Sequence, residues 1–308
     1  MSGLKTFYKA SLAPPLTSQA HTTKINCNFS CFWGDKEVEF ISNRGMIEQA
    51  FQRNMGIIGL DQQKIIRNAT VAIAGVGADG GLTAERLARL GVGHLKLADP
   101  GFFEESNLNR QFGSNLKTIG KNKAEAVAEE IKEIFPSLKI EIYTDGINVE
   151  NVNDFVSNVN VVVDEIEYSR LDLSVLLHRA ARRQGKFIFL GVNVGWGANL
   201  FVFDPGGMTL EEYCEIPPAA SLEEIRKFKL SLDKFCPKVP EYVPQQVIQD
   251  VIEGKDIPSV STACSLVASL LATEVVLFLI DKKRKIPVVP EYISIDLYRR
   301  ELYVGNNC

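Results

Sequence analysis

Gly75-Val76-Gly77-Ala78-Asp79-Gly80 sets glycines at G-x-G-x-x-G spacing, and Asp99 follows about twenty residues on. Glycine lets a turn take positive φ and lets backbone N–H groups approach a phosphate closely. A helix opening near Leu82 would point its positive N-terminus at that anion. A carboxylate such as Asp99, at the end of the next strand, suits the hydroxyls of a ribose. These residue types predict a nucleotide-binding turn. A tight turn without a ligand is the plainer alternative, and the spacing does not select the nucleotide.

The surrounding elements read as a frame for that turn. Val71–Ala74 is apolar without alternation, as in a parallel strand covered on both faces. With the helix and second strand after it, Val71–Asp99 forms a β-α-β unit. Asn122–Phe135 is an amphipathic helix stopped by Pro136. Strands follow at Lys139–Tyr143, Val159–Asp164 and Lys186–Val192, separated by helices at Val149–Val156 and Leu173–Gln184. Alternating strands and helices predict an α/β fold, a doubly wound, mostly parallel, Rossmann-like sheet. Leu200–Phe203 adds a strand closed by the turn Asp204-Pro205-Gly206-Gly207, and Tyr292–Tyr303 adds antiparallel strands. Ligands of such sheets bind beyond the carboxyl ends of the strands. Asp99, the 100–111 loop and Asp164-Glu165-Ile166-Glu167 all fall there.

Residues 1–45 read as an N-terminal extension: a Pro-containing arm at Ser11–Ser18, then a β-hairpin turning at Trp33–Lys36. It would clamp a peptide or partner, or simply cover the core. Met46–Ile66 reads as a helix carrying Arg53, and the second domain spans 46–308. Within it, 208–258 loses periodicity and reads as a crossing loop with short helices. Thr262–Ile280 is long enough to span a membrane, but Glu274 is costly in lipid, so a helix buried on the sheet is expected.

A net charge of -4 gives no reason to expect a nucleic-acid partner. No basic start precedes an apolar core, so no signal peptide is read, and a cytoplasmic protein without a membrane partner is expected. The six cysteines, Cys27, Cys31, Cys214, Cys236, Cys264 and Cys308, form no C-x-x-C pair. Reduced thiols are expected, and no zinc tetrathiolate.

At Ser106-Asn107-Leu108-Asn109-Arg110-Gln111 a family becomes visible. With Ile119–Ala126, Val161–Glu167 and Gly195–Gly207, this segment resembles the ThiF/MoeB/HesA adenylyltransferases, whose fold ubiquitin-activating enzymes share. The resemblance runs from about Arg53 to the final strand. It implies ATP with magnesium rather than a nicotinamide cofactor, since SNLNRQ has no place in a dehydrogenase.

By the same resemblance Gly75, Gly77 and Gly80 face phosphate and Asp99 holds the ribose. Asn107, Arg110 and Lys123 contact the triphosphate, with Gln111 beside them. Arg53 matches an arginine supplied by the partner subunit of a homodimer. Glu167 stands where the family usually has a magnesium-holding aspartate; either it or Asp164 would serve, unless the acids merely cap the next helix. Cys214 and Cys236 lie where ubiquitin-activating enzymes carry a thioester cysteine, though ordinary thiols are the expectation, and Cys264 reads as packing.

The implied activity is adenylation of a carboxylate on a peptide or small protein, with release of pyrophosphate. Ribosomal peptide natural-product biosynthesis, of the microcin or pantocin type, is favoured. Activation of a ubiquitin-like sulfur carrier, or a catalytically silent ATP-binding scaffold, are the alternatives.

Overall fold

The computed structural model describes residues 49–217, 219–253, 255 and 257–307. The extension expected over 1–45, with its arm and hairpin, lies outside the described residues, as do Cys27, Cys31 and Cys308.

Eight strands form one sheet: β1 (Thr70–Ala74), β2 (His94–Ala98), β3 (Lys139–Tyr143), β4 (Val161–Asp164), β5 (Ile188–Val194), β6 (Gly197–Phe203), β7 (Glu291–Asp296) and β8 (Glu301–Asn306). Their order is β3-β2-β1-β4-β5-β6-β7-β8. The β3-β2-β1-β4-β5 half is parallel, and β5 through β8 pair antiparallel. The chain runs outward from β1 to β3, then returns to place β4 on the other side of β1. A crevice therefore opens beyond the carboxyl ends of β1 and β4.

The apolar run in β1 has a direct cause. Val71 and Ile73 join one core, with α2 (Ala78–Leu90), α3 (Lys123–Ile134) and α5 (Ser261–Ile280). Ala72 and Ala74 join the opposite core, with α4 (Leu171–Arg183) and the crossing segment. Every side chain from Val71 to Ala74 is fully buried, so no polar alternation survives. In the crossing segment, Leu210, Tyr213, Ile216, Ile225 and Phe235 are buried in that second core. Its Tyr242 hydroxyl accepts a bond from the Trp196 N–H at the β5–β6 turn, 3.0 Å away.

α5 is long and apolar enough to cross a membrane, yet more than half of it is buried, against α2, β5 and β6. A Cβ on Gly191 of β5 would lie 2.5 Å from Val267 and 2.8 Å from Leu271, so the missing side chain lets α5 settle on the strand. Glu274, buried on this helix, is held bidentately by Arg284 at 2.5 and 2.6 Å. That pairing offsets the desolvation of the charge.

Two expected boundaries are corrected. The described part of Met46–Ile66 is no single helix. A short 3₁₀ turn at Gln52–Asn54 precedes a loop, and α1 (Leu60–Arg67) starts afresh. Gly56 at φ +101° and Gly59 as N-cap break the apparent periodicity. α2 begins at Ala78, four residues before Leu82, with Gly80 and Gly81 inside its first turn.

Leu271 is fully buried beneath Gly191. Leu271→Ala is expected to lower stability by about 2–5 kcal/mol, read as a fall in the urea midpoint at unchanged slope. An unchanged midpoint would show that α5 does not anchor the sheet.

Candidate active site

The turn after β1 is built by main chain meeting main chain. A Cβ on Gly75 would lie 2.0 Å from the Glu165 carbonyl oxygen, and Gly75 has φ +88°. A Cβ on Gly80 would lie 1.9 Å from the Gly75 carbonyl oxygen. These two glycines are required by packing. Gly77 is different: its nearest neighbour would be Gln111 Oε1 at 3.7 Å, an ordinary contact. It caps the N-terminus of α2, where the first N–H groups lack intrahelical acceptors and an anion is favoured.

Asp99 closes this turn from the next strand. Its Oδ2 accepts the Val76 N–H and its Oδ1 the Gly101 N–H, each at 2.8 Å. Asn122 caps α3, accepting from the Glu125 N–H, and donates to the carbonyls of Asp99 and Gly101 at 3.0 and 3.3 Å. That fixes Lys123 as the first residue of α3. Its stem runs past Gly101, Cε standing 3.4 Å from where a Gly101 Cβ would be, with Asp99 Oδ1 3.0 Å from the same point. The half-buried Lys123 amine has no hydrogen bond or ion pair among the described residues.

In the loop between β2 and α3, Asn107 is buried and its side chain is spent on the loop itself. Oδ1 accepts the Glu104 N–H at 3.1 Å, and its carbonyl receives the N–H groups of Arg110 and Gln111. Arg110 Nη1 donates to the Ser106 carbonyl at 3.0 Å and to Asn109 at 2.8 Å, while its buried Nε has no acceptor. Gln111 is buried with Oε1 unpartnered, facing Gly77.

The acids after β4 divide sharply. Asp164 is buried with both oxygens engaged: Oδ1 with the Ile166 N–H at 3.1 Å, Oδ2 with His178 at 3.1 Å. These bonds brace α4 and make Asp164 the less available of the two acids considered as metal ligands. Glu167 is exposed. Glu165 is half-buried as a residue, but its head group turns inward and accepts the Gly191 N–H at 2.9 Å. Burial pushes its carboxyl well above the usual range, helped by the negative charges of Asp79 and Asp164. Among the described residues, no group of three or more His, Cys, Asp or Glu could hold a metal by itself.

Two further polar residues at the turn escaped sequence reading. Asp79, in the first turn of α2, accepts a bond from Asn193 Nδ2 of β5 at 2.7 Å. Desolvation raises its carboxyl to about 6, against the opposing pull of Asn193, the Cys264 thiol and Arg110. Its Oδ1 and Asn193 Oδ1 are unpartnered. The only signal for Asp79 was a charge inside an otherwise small-residue fingerprint; Asn193 gave none.

Arg53 is not brought to this constellation. It is exposed on the turn whose neighbour Asn54 donates to the Leu90 carbonyl at 3.5 Å, at the far end of α2. That helix has 13 residues, or roughly 20 Å. The crossing-segment cysteines are poor nucleophiles as placed: burial pushes Cys214 to about 12 and Cys236 to about 11.

Comparison with known proteins adds the following. The model described as the ThiF family matches residues 51–305. A tRNA threonylcarbamoyladenosine dehydratase of Haemophilus influenzae is 32% identical over 133 residues, 42% of this chain and 51% of that protein. A sulfur carrier protein ThiS adenylyltransferase of Bacillus subtilis is 29% identical over 151 residues, 48% of this chain and 44% of that one. The chain thus spans about half the length, or less, of the curated relatives it matches. A crystal structure of E. coli MccB with AMPCPP and MccA shares the fold at TM-score 0.61 and 18% identity, covering 86% of this chain and 72% of that one.

The two kinds of glycine are separable by experiment. Gly80→Ala is expected to destabilise the protein by on the order of 3 kcal/mol. Gly77→Ala should melt like the wild type but bind ATP about tenfold more weakly or worse. Thermal unfolding and equilibrium dialysis with labelled ATP check both. Unimpaired ATP binding by Gly77→Ala would show that the turn is not a phosphate site.

Proposed function

This chain belongs to the ThiF family, and from that premise we propose that it uses ATP to adenylate a carboxylate on a peptide or small protein, releasing pyrophosphate. The observation that carries this reading is the arrangement around Gly77. Gly77 opens the N-terminus of α2 with Gln111 beside it, the buried Nε of Arg110 has no acceptor, and the Lys123 amine has no partner among the described residues; this reading takes the three as parts of one nucleotide site.

A carboxylate is a poor electrophile because it is anionic and lacks a good leaving group. Attack of its oxygen on the α-phosphorus of ATP forms the acyl-adenylate and expels pyrophosphate. Anion must approach anion, so the charge on the phosphates has to be offset. The first turn of α2, Arg110 and Lys123 would do this, with Gln111 alongside and Asp99 beside the ribose. Asn107 would act chiefly by shaping the loop that presents Arg110. No general base is needed, because a carboxyl group is already ionised at neutral pH. Mg²⁺ bound with ATP would offset further phosphate charge, and Glu167 is the exposed hard-oxygen ligand at the end of β4.

Arg53 cannot serve the crevice of its own chain across the length of α2, which supports a homodimer in which the partner supplies it. A peptide substrate, and a role in ribosomal peptide natural-product biosynthesis, is favoured by the fold shared with MccB. The relative named for ThiS favours a second reading, activation of a sulfur-carrier C-terminus. Intact Arg110 and Lys123 argue against a silent scaffold.

ATP–pyrophosphate exchange tests this, run against peptides with free C-termini, ThiS-like carrier proteins and threonylcarbamoyl-modified tRNA. Peptides or carrier proteins should support exchange, and exchange with the tRNA alone would refute the peptide-or-protein reading. Arg110→Ala and Lys123→Ala should each lower it by about 10²–10³-fold with unchanged melting. Full exchange in either variant would refute the assignment.

Arg53→Ala should be equally inactive. An equal mixture of Arg53→Ala and Lys123→Ala chains, allowed to exchange subunits, should recover about a quarter of wild-type activity, since each heterodimer holds one intact site. No recovery would place Arg53 outside the partner's site.

A further inference from the structure

We propose that Asp79 is part of the nucleotide site as a neutral acid, taking up one proton when the triphosphate settles on the first turn of α2. This rests on the ATP reading of the same crevice and goes beyond it, because no family motif assigns a role to Asp79.

The position is unusual for a carboxylate. Asp79 lies in the first helical turn, whose N–H groups are the anion-binding feature of the fold. It is 7% exposed, its Oδ2 is bonded to Asn193, and its Oδ1 has no partner. The groups facing it come from four directions: Asn193 on β5, the Cys264 thiol on α5, Glu165 after β4 and Arg110 in the loop after β2. Only Arg110 is positive. The Arg110 guanidinium is lightly held, by one carbonyl and one side-chain oxygen through Nη1, with Nε unmatched.

A phosphate at Gly77 would draw that guanidinium to itself. Asp79 would then lose its sole counter-charge and gain a multiply charged anion within a few ångströms. Two such anions in a water-poor site do not both stay ionised. The phosphate is held by several donors, so the carboxylate yields. A proton from solvent adds to Oδ1, and Oδ2 goes on accepting from Asn193. Burial already holds this carboxyl near 6, so uptake close to neutral pH is easy. The sign follows: the ionised form opposes the nucleotide, so affinity falls as pH rises above about 6, by up to about tenfold per pH unit.

Titration calorimetry of the full chain with Mg²⁺ and AMPCPP, in buffers of different ionisation heat, counts the protons. At pH 7.5 the wild type should take up close to one proton more than Asp79→Asn. The wild-type Kd, divided by that of Asp79→Asn, should rise steadily from pH 6 to pH 8. That ratio cancels titration of the nucleotide itself. Asn193→Ala, which keeps the carboxylate, should retain the extra proton.

Equal proton counts in wild type and Asp79→Asn would overturn the proposal. So would a loss of affinity in Asp79→Asn by the same factor at every pH, the mark of a purely structural residue. Should Asp79→Asn fail to fold, the wild type decides alone: no net proton uptake on binding at pH 7.5, or an affinity independent of pH, refutes it. Absence of AMPCPP binding by the wild type at any pH would instead refute the nucleotide reading on which it rests.

Discussion

The site depends on a place where three pieces of main chain touch with no side chain between them. The end of β1, the end of β4 and the first turn of α2 meet at Gly75, Glu165 and Gly80 at distances that exclude even a methyl group. Contact this close sets the direction of α2, and with it the direction of the helix dipole. Asp99 reinforces the junction from β2 by accepting N–H groups on both sides of the crevice, from Val76 and Gly101. The helix end is therefore anchored before any ligand arrives, which removes an ordering cost from binding.

Polar groups around this junction divide into those spent on structure and those left free. Asp99, Asn107, Asn122 and Asp164 satisfy backbone groups that burial would otherwise orphan. Among the described residues, the Lys123 amine, the Nε of Arg110 and the Oε1 of Gln111 have no hydrogen-bond partner, and the exposed Glu167 carboxylate faces only the charge of Arg170. Buried polar atoms without partners are uncommon in folded proteins, and a cluster of them at one helix end marks a place built for something else. The spent residues sit one step behind the free ones. Asn107 shapes the loop that carries Arg110, and Asn122 starts the helix that carries Lys123.

Much of the frame was legible in the sequence because its central strands are buried on both faces. β1 and β4 show as unbroken apolar runs, and the turns after them carry glycine or acids. Reading failed where one residue type serves two physical ends. Gly80 and Gly81 looked like turn residues, which pushed the start of α2 to Leu82, yet they are helical and small for the sake of contact. Gly56 and Gly59 sit inside a run that otherwise has helical spacing, so its periodicity predicts one helix where a turn and α1 stand. The role of Asp164 was hidden because its partner, His178, lies on the next helix and nothing in the spacing announces the pair. Asp79 and Asn193 are 114 positions apart, and only the folded sheet brings them together.

The buried acids beneath the turn make physical sense in a site where anions must come and go. Arg110, Lys123 and the α2 dipole, left uncompensated, would hold a released pyrophosphate as firmly as an arriving triphosphate. Asp79 and Glu165, whose head groups face Asn193 and the Gly191 N–H, would reduce that excess only while ionised, in the empty site. Burial raises both carboxyls, and the charge of Asp79 raises Glu165 further. On the proposal for Asp79, the field at the turn would be adjusted by a proton rather than fixed by the lysine and arginine alone. Apolar residues in those two positions would orphan Asn193 Nδ2 and the Gly191 N–H, and would leave the positive end of the helix at full strength in every state of the proposed cycle.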